Sequence, residues 1–297
     1  MSRRPPDGEA PVVTAIVVAF DSAHALPDCL DALRGEGIAT IVVDNASTDD
    51  SAALSERRGA RVIRNGRNEG YGRANNTGVR AADTEFVLIV NPDVIVQKGA
   101  VAALVDAAQR YPDAGFFAPQ IVEPSGRVFF QPRSLLAKHL TNPGGKLVLP
   151  EGEACAPFFS GACFLMRRSF FLDLGGFDEK IFLFYEDDDL CRRIADTGAA
   201  LIYVPQARVG HGRGRSSGPK PGLVFKSRWH QAWSRAYVSR KYGLPDPAPS
   251  MFAVNALKTL AAGLSFRRSL IERYGGSAAG ALAFLRGRSA LRQEGLS

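Results

Sequence analysis

At 297 residues, with 45% hydrophobic and 23% charged residues, the chain has the composition of a soluble globular protein, with room for a sizeable core in one large domain or two smaller ones. Its four cysteines show no CxxC spacing, no stretch reaches the roughly 20 apolar residues that span a bilayer, and no zinc spacing, RNP-like strand or helix-turn-helix pattern is present. These features argue against a disulfide scaffold, a membrane-spanning chain and a nucleic-acid module.

The opening MSRRPPDGEAP is polar and Pro-rich with no apolar signal core, so residues 1–10 are expected to be a disordered leader and the protein cytoplasmic. VVTAIVVAF (12–20) reads as a strand buried on both faces, and ALPDCLDALR (25–34) as a helix with Leu26, Leu30 and Leu33 on one side. IATIVVD (38–44) is a second strand, and STDDSAALSER (47–57) a helix with Ser47 or Thr48 as N-cap. ARVIRN (60–65), 71–82, EFVLIVN (85–91) and GAVAALVDAAQR (99–110) continue the alternation as strand, helix, strand and helix. That rhythm predicts a parallel sheet covered by helices, with ligands beyond the carboxyl ends of its strands. Strands and a turn at Pro124-Ser125-Gly126 follow over 115–130, then loop over 132–156, strands at 158–168 and 200–205, and a Gly/Ser/Pro loop at 209–222. Residues 223–242 and about 251–290 read as helical.

Charge is unevenly placed: residues 1–204 carry 21 Lys/Arg against 27 Asp/Glu, and residues 205–297 carry 16 against 3. The basic tail either meets an anionic partner or is a solvated surface. Within it, Trp229, Trp233 and Tyr237 share one helical face, which either lies in a membrane interface or packs on the rest of the protein.

Polar groups end three strands: AFDS, VVDNASTD with Asp44, and VNPDV with Asn91 and Asp93. Acids there either satisfy loose backbone as Asx-turns or face a ligand. NGRNEGYGRANNTG (65–78) is Gly-rich and enters a helix, a form that can approach phosphate, with Arg73 as a cationic fork. A carboxylate in VNPDV suits a hard divalent metal completed by a ligand's phosphates. FYEDDDLCRRI (184–194) places Glu186, Asp187, Asp188 and Asp189 in a row. They either start a helix, with Asp188–Arg192 and Asp189–Arg193 as i,i+4 pairs, or do chemistry.

VVDNASTDD, NEGYGRANNTG, VNPDV, the block 158–198 and GHGRG occur in an order that resembles glycosyltransferase family 2, most closely its rhamnosyltransferase-like branch, over about residues 12–240. The resemblance implies an α/β GT-A nucleotide-sugar-binding fold at 11–245 and leaves 246–297 as a basic helical extension. It implies that Asp44 holds the nucleotide base, and that Arg73, Asn91 and Asp93 belong to the nucleotide-sugar site. Asp93 would ligate a divalent metal, Mg2+ or Mn2+, and His211 would complete the metal or diphosphate site, with Arg213 or Arg215 as further cations. Asp187 would be the catalytic base of an inverting transfer, its proton affinity raised by neighbouring charges and by Phe182, Phe184 and Tyr185 as apolar walls. Gly161 and Glu186 would stand on the acceptor side, where Gly175-Gly176 either lets a sugar approach or makes a plain turn. Asn91 departs from the family's usual Asp, which leaves a catalytically silent nucleotide-sugar or membrane-surface binding protein as the alternative. The implied partners are dTDP-rhamnose or a UDP-sugar and a polyprenyl-diphosphate-linked or glycan acceptor, with an anionic membrane surface as a further candidate and no nucleic acid. The implied place is the cytoplasm, either free or peripheral on the inner face of the membrane.

Overall fold

The computed structural model describes residues 12–130, 134–137, 149–212, 216 and 221–292; the expected leader, Arg213 and Arg215 lie outside these. The elements in chain order are β1 (Val13–Ala19), α1 (Leu26–Gly35), β2 (Ala39–Asp44), α2 (Ser51–Arg57), β3 (Arg61–Arg64), α3 (Tyr71–Ala81), β4 (Phe86–Val90), β5 (Val94–Val96), α4 (Ala100–Arg110), β6 (Ala114–Val122), β7 (Val128–Phe129), β8 (Ala154–Cys155), β9 (Cys163–Arg167), α5 (Arg168–Asp173), α6 (Glu186–Asp196), β10 (Ala200–His211), α7 (Leu223–Lys241), α8 (Ala248–Leu264) and α9 (Arg268–Leu285).

Every residue of β1 is buried, because alternate side chains serve two cores. Val13, Ala15, Val17 and Ala19 face one core, closed by Leu26, Leu30 and Leu33 of α1 and Leu104 of α4. Ile16 and Val18 face the other, closed by Val79 of α3, Phe171 of α5 and Ile194 of α6. The result is a helix–sheet–helix sandwich. Its strand order is β3-β2-β1-β4-β9-β6-β10-β5.

The first four strands are parallel, as the sequence rhythm predicts, but β9 enters antiparallel between β4 and β6. This places Cys163, the first residue of β9, level with Val90, the last of β4. The residues just before β9 therefore emerge at the carboxyl edge of the parallel half.

Several local expectations change. α2 starts at Ser51, since Ser47 and Thr48 are engaged elsewhere: Ser47 Oγ accepts from Asp21 N at 3.0 Å, and Thr48 N donates to Asp21 Oδ1 at 2.7 Å. β10 runs to His211 rather than stopping near residue 205, paired at its end with the unforeseen β5. The helical stretch from about 251 divides at 265–267 into α8 and α9. The aromatic face of α7 turns inward: Trp229 and Trp233 are buried against Phe284, and Tyr237 Oη donates to Asp178 Oδ2 at 2.8 Å.

Candidate active site

Asp44 ends β2 level with Ala19, and Asn91 follows β4 one residue beyond Val90, which is level with Val17. Two strand spacings separate them, roughly 10 Å. Asp44 is buried; Oδ2 accepts from Ser47 N at 3.3 Å, whereas Oδ1 has no hydrogen-bond partner among the described residues. The loop behind it is fixed by Asn45, which sequence reading passed over. Its Nδ2 donates to Gly70 O and Asn68 Oδ1, and its Oδ1 accepts from Asn65 Nδ2 and Glu69 N. One buried amide thus ties the end of β2 to the 65–70 loop.

The turn after β4 carries Asp93, also buried. The antiparallel pairing of β5 with β10 sets His211 opposite Val94, so its Nε2 lies 3.5 Å from Asp93 Oδ1. Ser216 Oγ donates to the same oxygen at 2.7 Å. His211 Nδ1 and Asn91 Oδ1 have no hydrogen-bond partner among the described residues. No cluster of three or more His, Cys, Asp or Glu that could hold a metal occurs among the described residues. The protein thus offers one carboxylate and one imidazole, a set that fits a divalent ion whose remaining ligands come from a diphosphate.

The third part arrives with β9. Asn91 N donates to Ala162 O at 2.9 Å, and Gly161 N donates to Asp187 Oδ2 at 3.1 Å. Because residues 161 and 162 are adjacent, the Asp187 carboxylate sits roughly 10 Å from the end of β4. The approach is close, since a Cβ at position 161 would lie 3.1 Å from the Asp187 Cβ and press on it. Tyr71, also unmarked in the sequence, braces the same residue: its Oη donates to Gly161 O and its N donates to Phe182 O, each at 2.9 Å.

Burial raises the proton affinity of Asp187, opposed by N–H donation from Gly161 and Asp188. Burial also raises Glu186 and Asp188, and the Asp187 charge raises both further. Glu186 Oε2 is buried without a partner among the described residues. Asp188 Oδ1 accepts from Leu135 N at 2.8 Å instead of pairing with Arg192, which binds Asp196. Asp189 keeps its expected pair with Arg193 at 2.8 Å and adds Lys241 and the Tyr242 hydroxyl. Immediately before α6, Phe184 and Tyr185 have φ of 68° and 67°, a left-handed pair that costs of order 1–3 kcal/mol per residue and re-aims the chain into the helix. Beneath the edge, burial pushes the Cys29 and Cys163 thiols well up, so neither offers a thiolate.

Some expected contributors are occupied elsewhere. Arg73 Nε donates to Glu179 O at 2.9 Å and Nη1 to Glu69 Oε2 at 3.2 Å, so it struts α3 to the 176–181 loop. Gly70 and Gly72 answer packing, because a Cβ on Gly70 would lie 2.5 Å from Phe182 O and one on Gly72 2.9 Å from Phe177 Cβ. Gly175-Gly176 is a turn docked on Asn76, whose Oδ1 accepts from Phe177 N at 2.8 Å. Phe182 stacks on His230 at 4.3 Å and so belongs to the α7 contact.

The chain is similar to known glycosyltransferases. The family described as Glycosyl transferase family 2 matches residues 14–175. The chain is 32% identical over 240 residues to the N-acetylglucosaminyl-diphospho-decaprenol L-rhamnosyltransferase of Mycobacterium tuberculosis, covering 67% of this chain and 78% of that one. It is 30% identical over 218 residues to the pre-mycofactocin glycosyltransferase of the same organism, covering 70% of this chain and 44% of that one. Among solved structures, the mannosyltransferase PcManGT from Pyrobaculum calidifontis, in complex with GDP-Man and Mn2+, superposes with a TM-score of 0.57 at 19% identity, over 95% of this chain and 89% of that one.

Proposed function

This chain belongs to glycosyl transferase family 2 and is a glycosyltransferase of GT-A fold; on that premise we propose that it moves a hexosyl group such as rhamnose from a nucleoside diphosphate to a hydroxyl of a polyprenyl-diphosphate-linked or polysaccharide acceptor, with inversion, in cell-envelope glycan synthesis. The observation that carries the reading is a set of unpaired buried atoms. Of seven buried side-chain polar atoms without a hydrogen-bond partner among the described residues, four are Asp44 Oδ1, Asn91 Oδ1, Glu186 Oε2 and His211 Nδ1, on residues of this candidate site; the others are on Arg58, Asn75 and His230. Each such atom costs about 1–3 kcal/mol unless something fills the site. A donor with its base at Asp44 and its sugar hydroxyls at Asn91, together with an acceptor hydroxyl at Glu186, would supply partners to three of them.

In this reading Asp93 and His211 hold a divalent ion. When bound, that ion neutralises charge developing on the departing diphosphate. Asp187 takes the proton from the acceptor hydroxyl as its oxygen bonds to the anomeric carbon and the bond to the diphosphate breaks. Gly161 N–H holds the carboxylate in place, and Gly161 and Glu186 stand on the acceptor side. The named acceptor of the mycobacterial rhamnosyltransferase, a sugar on a prenyl diphosphate, supports an acceptor of that class here.

The test is a thermal-shift panel of nucleoside diphosphates and their sugars with Mn2+ or Mg2+, followed by product detection on a prenyl-diphosphate-linked sugar. Asp187→Asn is expected to keep the donor-induced shift and to lower kcat by roughly 10²–10⁴-fold. A near-normal rate removes Asp187 from the mechanism, and a rate indifferent to EDTA removes the metal role of Asp93 and His211.

A further inference from the structure

Outside the transfer site, the α8–α9 hairpin carries the most exposed large apolar side chains among the described residues, Phe266 and Leu264. A Cβ on Gly276 would strike the Phe225 backbone and one on Gly280 the Trp229 backbone, so α9 runs alongside α7 in the same direction. α8 returns antiparallel, with Thr259 beside Gly275. The α8–α9 turn therefore points to the N-terminal end of α7 and, at 1.5 Å per residue, projects roughly 10 Å beyond it. Every residue from Gly263 to Ser269 is exposed, with Leu264 at 85% and Phe266 at 92%. Leu257 at 68% and Leu260 at 67% extend the strip along one face of α8. Phe266 has a φ of 52° at the position just past a helix where glycine is usual. The chain accepts a strained backbone and displays a phenyl ring to solvent.

The charge around the strip is mostly positive. Arg267 and Arg268 follow Phe266 directly, Lys258 lies on α8, and α8 carries no acid. The acid closest to the strip in sequence is Glu272, 3.8 Å from an Arg268 that is itself 91% exposed. α7 connects this tip to the transfer site: His230 stacks on Phe182, and Ser234 Oγ donates to Leu183 O at 2.9 Å, in the segment leading to Asp187. Along the helix axis the tip stands roughly 20 Å from that segment.

We infer that the α8–α9 tip docks on an anionic lipid leaflet, with Leu264 and Phe266 entering the acyl boundary and Arg267 and Arg268 among the headgroups. The inference rests on the proposed lipid-linked acceptor for its purpose, though its evidence is the tip itself. No helix among the described residues is long and apolar enough to cross a membrane, and the contact is interfacial. A second copy is the poorer occupant, because a symmetric contact between two tips would set Arg267 and Arg268 against their own counterparts.

Flotation of the full chain with phosphatidylcholine vesicles, with and without phosphatidylglycerol, tests the inference. Binding is expected only with phosphatidylglycerol, and weakens as salt is added. L264E/F266E is expected to weaken binding at least about tenfold, and each of Arg267→Ser and Arg268→Ser about fivefold at low salt. These side chains are exposed, so the variants keep the parent melting temperature. No flotation at low salt, or flotation unchanged in L264E/F266E, overturns the inference. So does a dimer in light scattering that L264E/F266E turns into monomer while vesicle binding persists. The nucleotide-induced thermal shift is read on the same variants without vesicles; its absence in the parent would refute the transfer reading and leave the tip result standing.

Discussion

Asp187 is set apart from its three acidic neighbours by what it touches. Gly161 N–H reaches one of its oxygens and Asp188 N–H the other, while burial holds its proton affinity above that of an ordinary carboxylate. The proposed base must be deprotonated to work, so activity is expected to be lost as pH falls through this raised value. The acid limb of kcat/KM is accordingly expected above the usual carboxylate value of about 4, and a limb at that value contradicts the assignment. Tyr71 Oη donates to Gly161 O, and we propose that it acts through Gly161 rather than on substrate. Tyr71→Phe is expected to lower kcat by roughly 3–10-fold, with the donor KM unchanged and the acid limb displaced. Loss of stability with an unmoved pH profile would make Tyr71 a packing residue only.

At the scale of elements, α6 shows how one acidic run is shared between chemistry and structure. A helix N-terminus favours negative charge, yet the four side chains diverge because each points to a different neighbour. Asp189 is fully buried and meets Arg193, Lys241 and Tyr242, which joins α6 to the end of α7. Asp189→Asn leaves the part-exposed Arg193 and the exposed Lys241 without their counter-charge and is expected to cost about 2 kcal/mol in denaturant unfolding. A loss below that of an ordinary surface pair would show that Asp178, the other partner of Lys241, suffices to hold the helices together. The same scale bears on the glycines of the 65–78 stretch: a side chain at Gly70 or Gly72 would meet Phe182 or Phe177. A glycine kept small by packing and one kept small by a phosphate look alike in a sequence.

For the whole molecule, the decisive feature is β9. By running against β4 it delivers Gly161 and Ala162 to the edge where the parallel strands end. That edge already holds Asp44 and Asp93. The helical layer is less separable than its charge suggests, because α9 covers Trp229 and Trp233. We propose that 246–297 is an extension on which 11–245 depends. A chain ending at residue 245 is expected to expose both tryptophans, with red-shifted fluorescence and a lower melting temperature. Retention of the parent melting temperature would make the extension a dispensable appendage.

The sequence by itself determined the alternation of β1 to α4, the acids at the strand ends and the family motifs, because these are local patterns of period, composition and order. It also marked both an acidic cluster and a basic tail. Only the tertiary structure decided that Asp187 approaches the end of β4, that Arg73 is a strut, and that Asn45 and Tyr71 are braces. It also decided that α7 turns its aromatics inward while the α8–α9 turn holds Phe266 outward. These are choices among partners distant in the chain. Side-chain type limits such choices, but burial, strand direction and available hydrogen bonds make them.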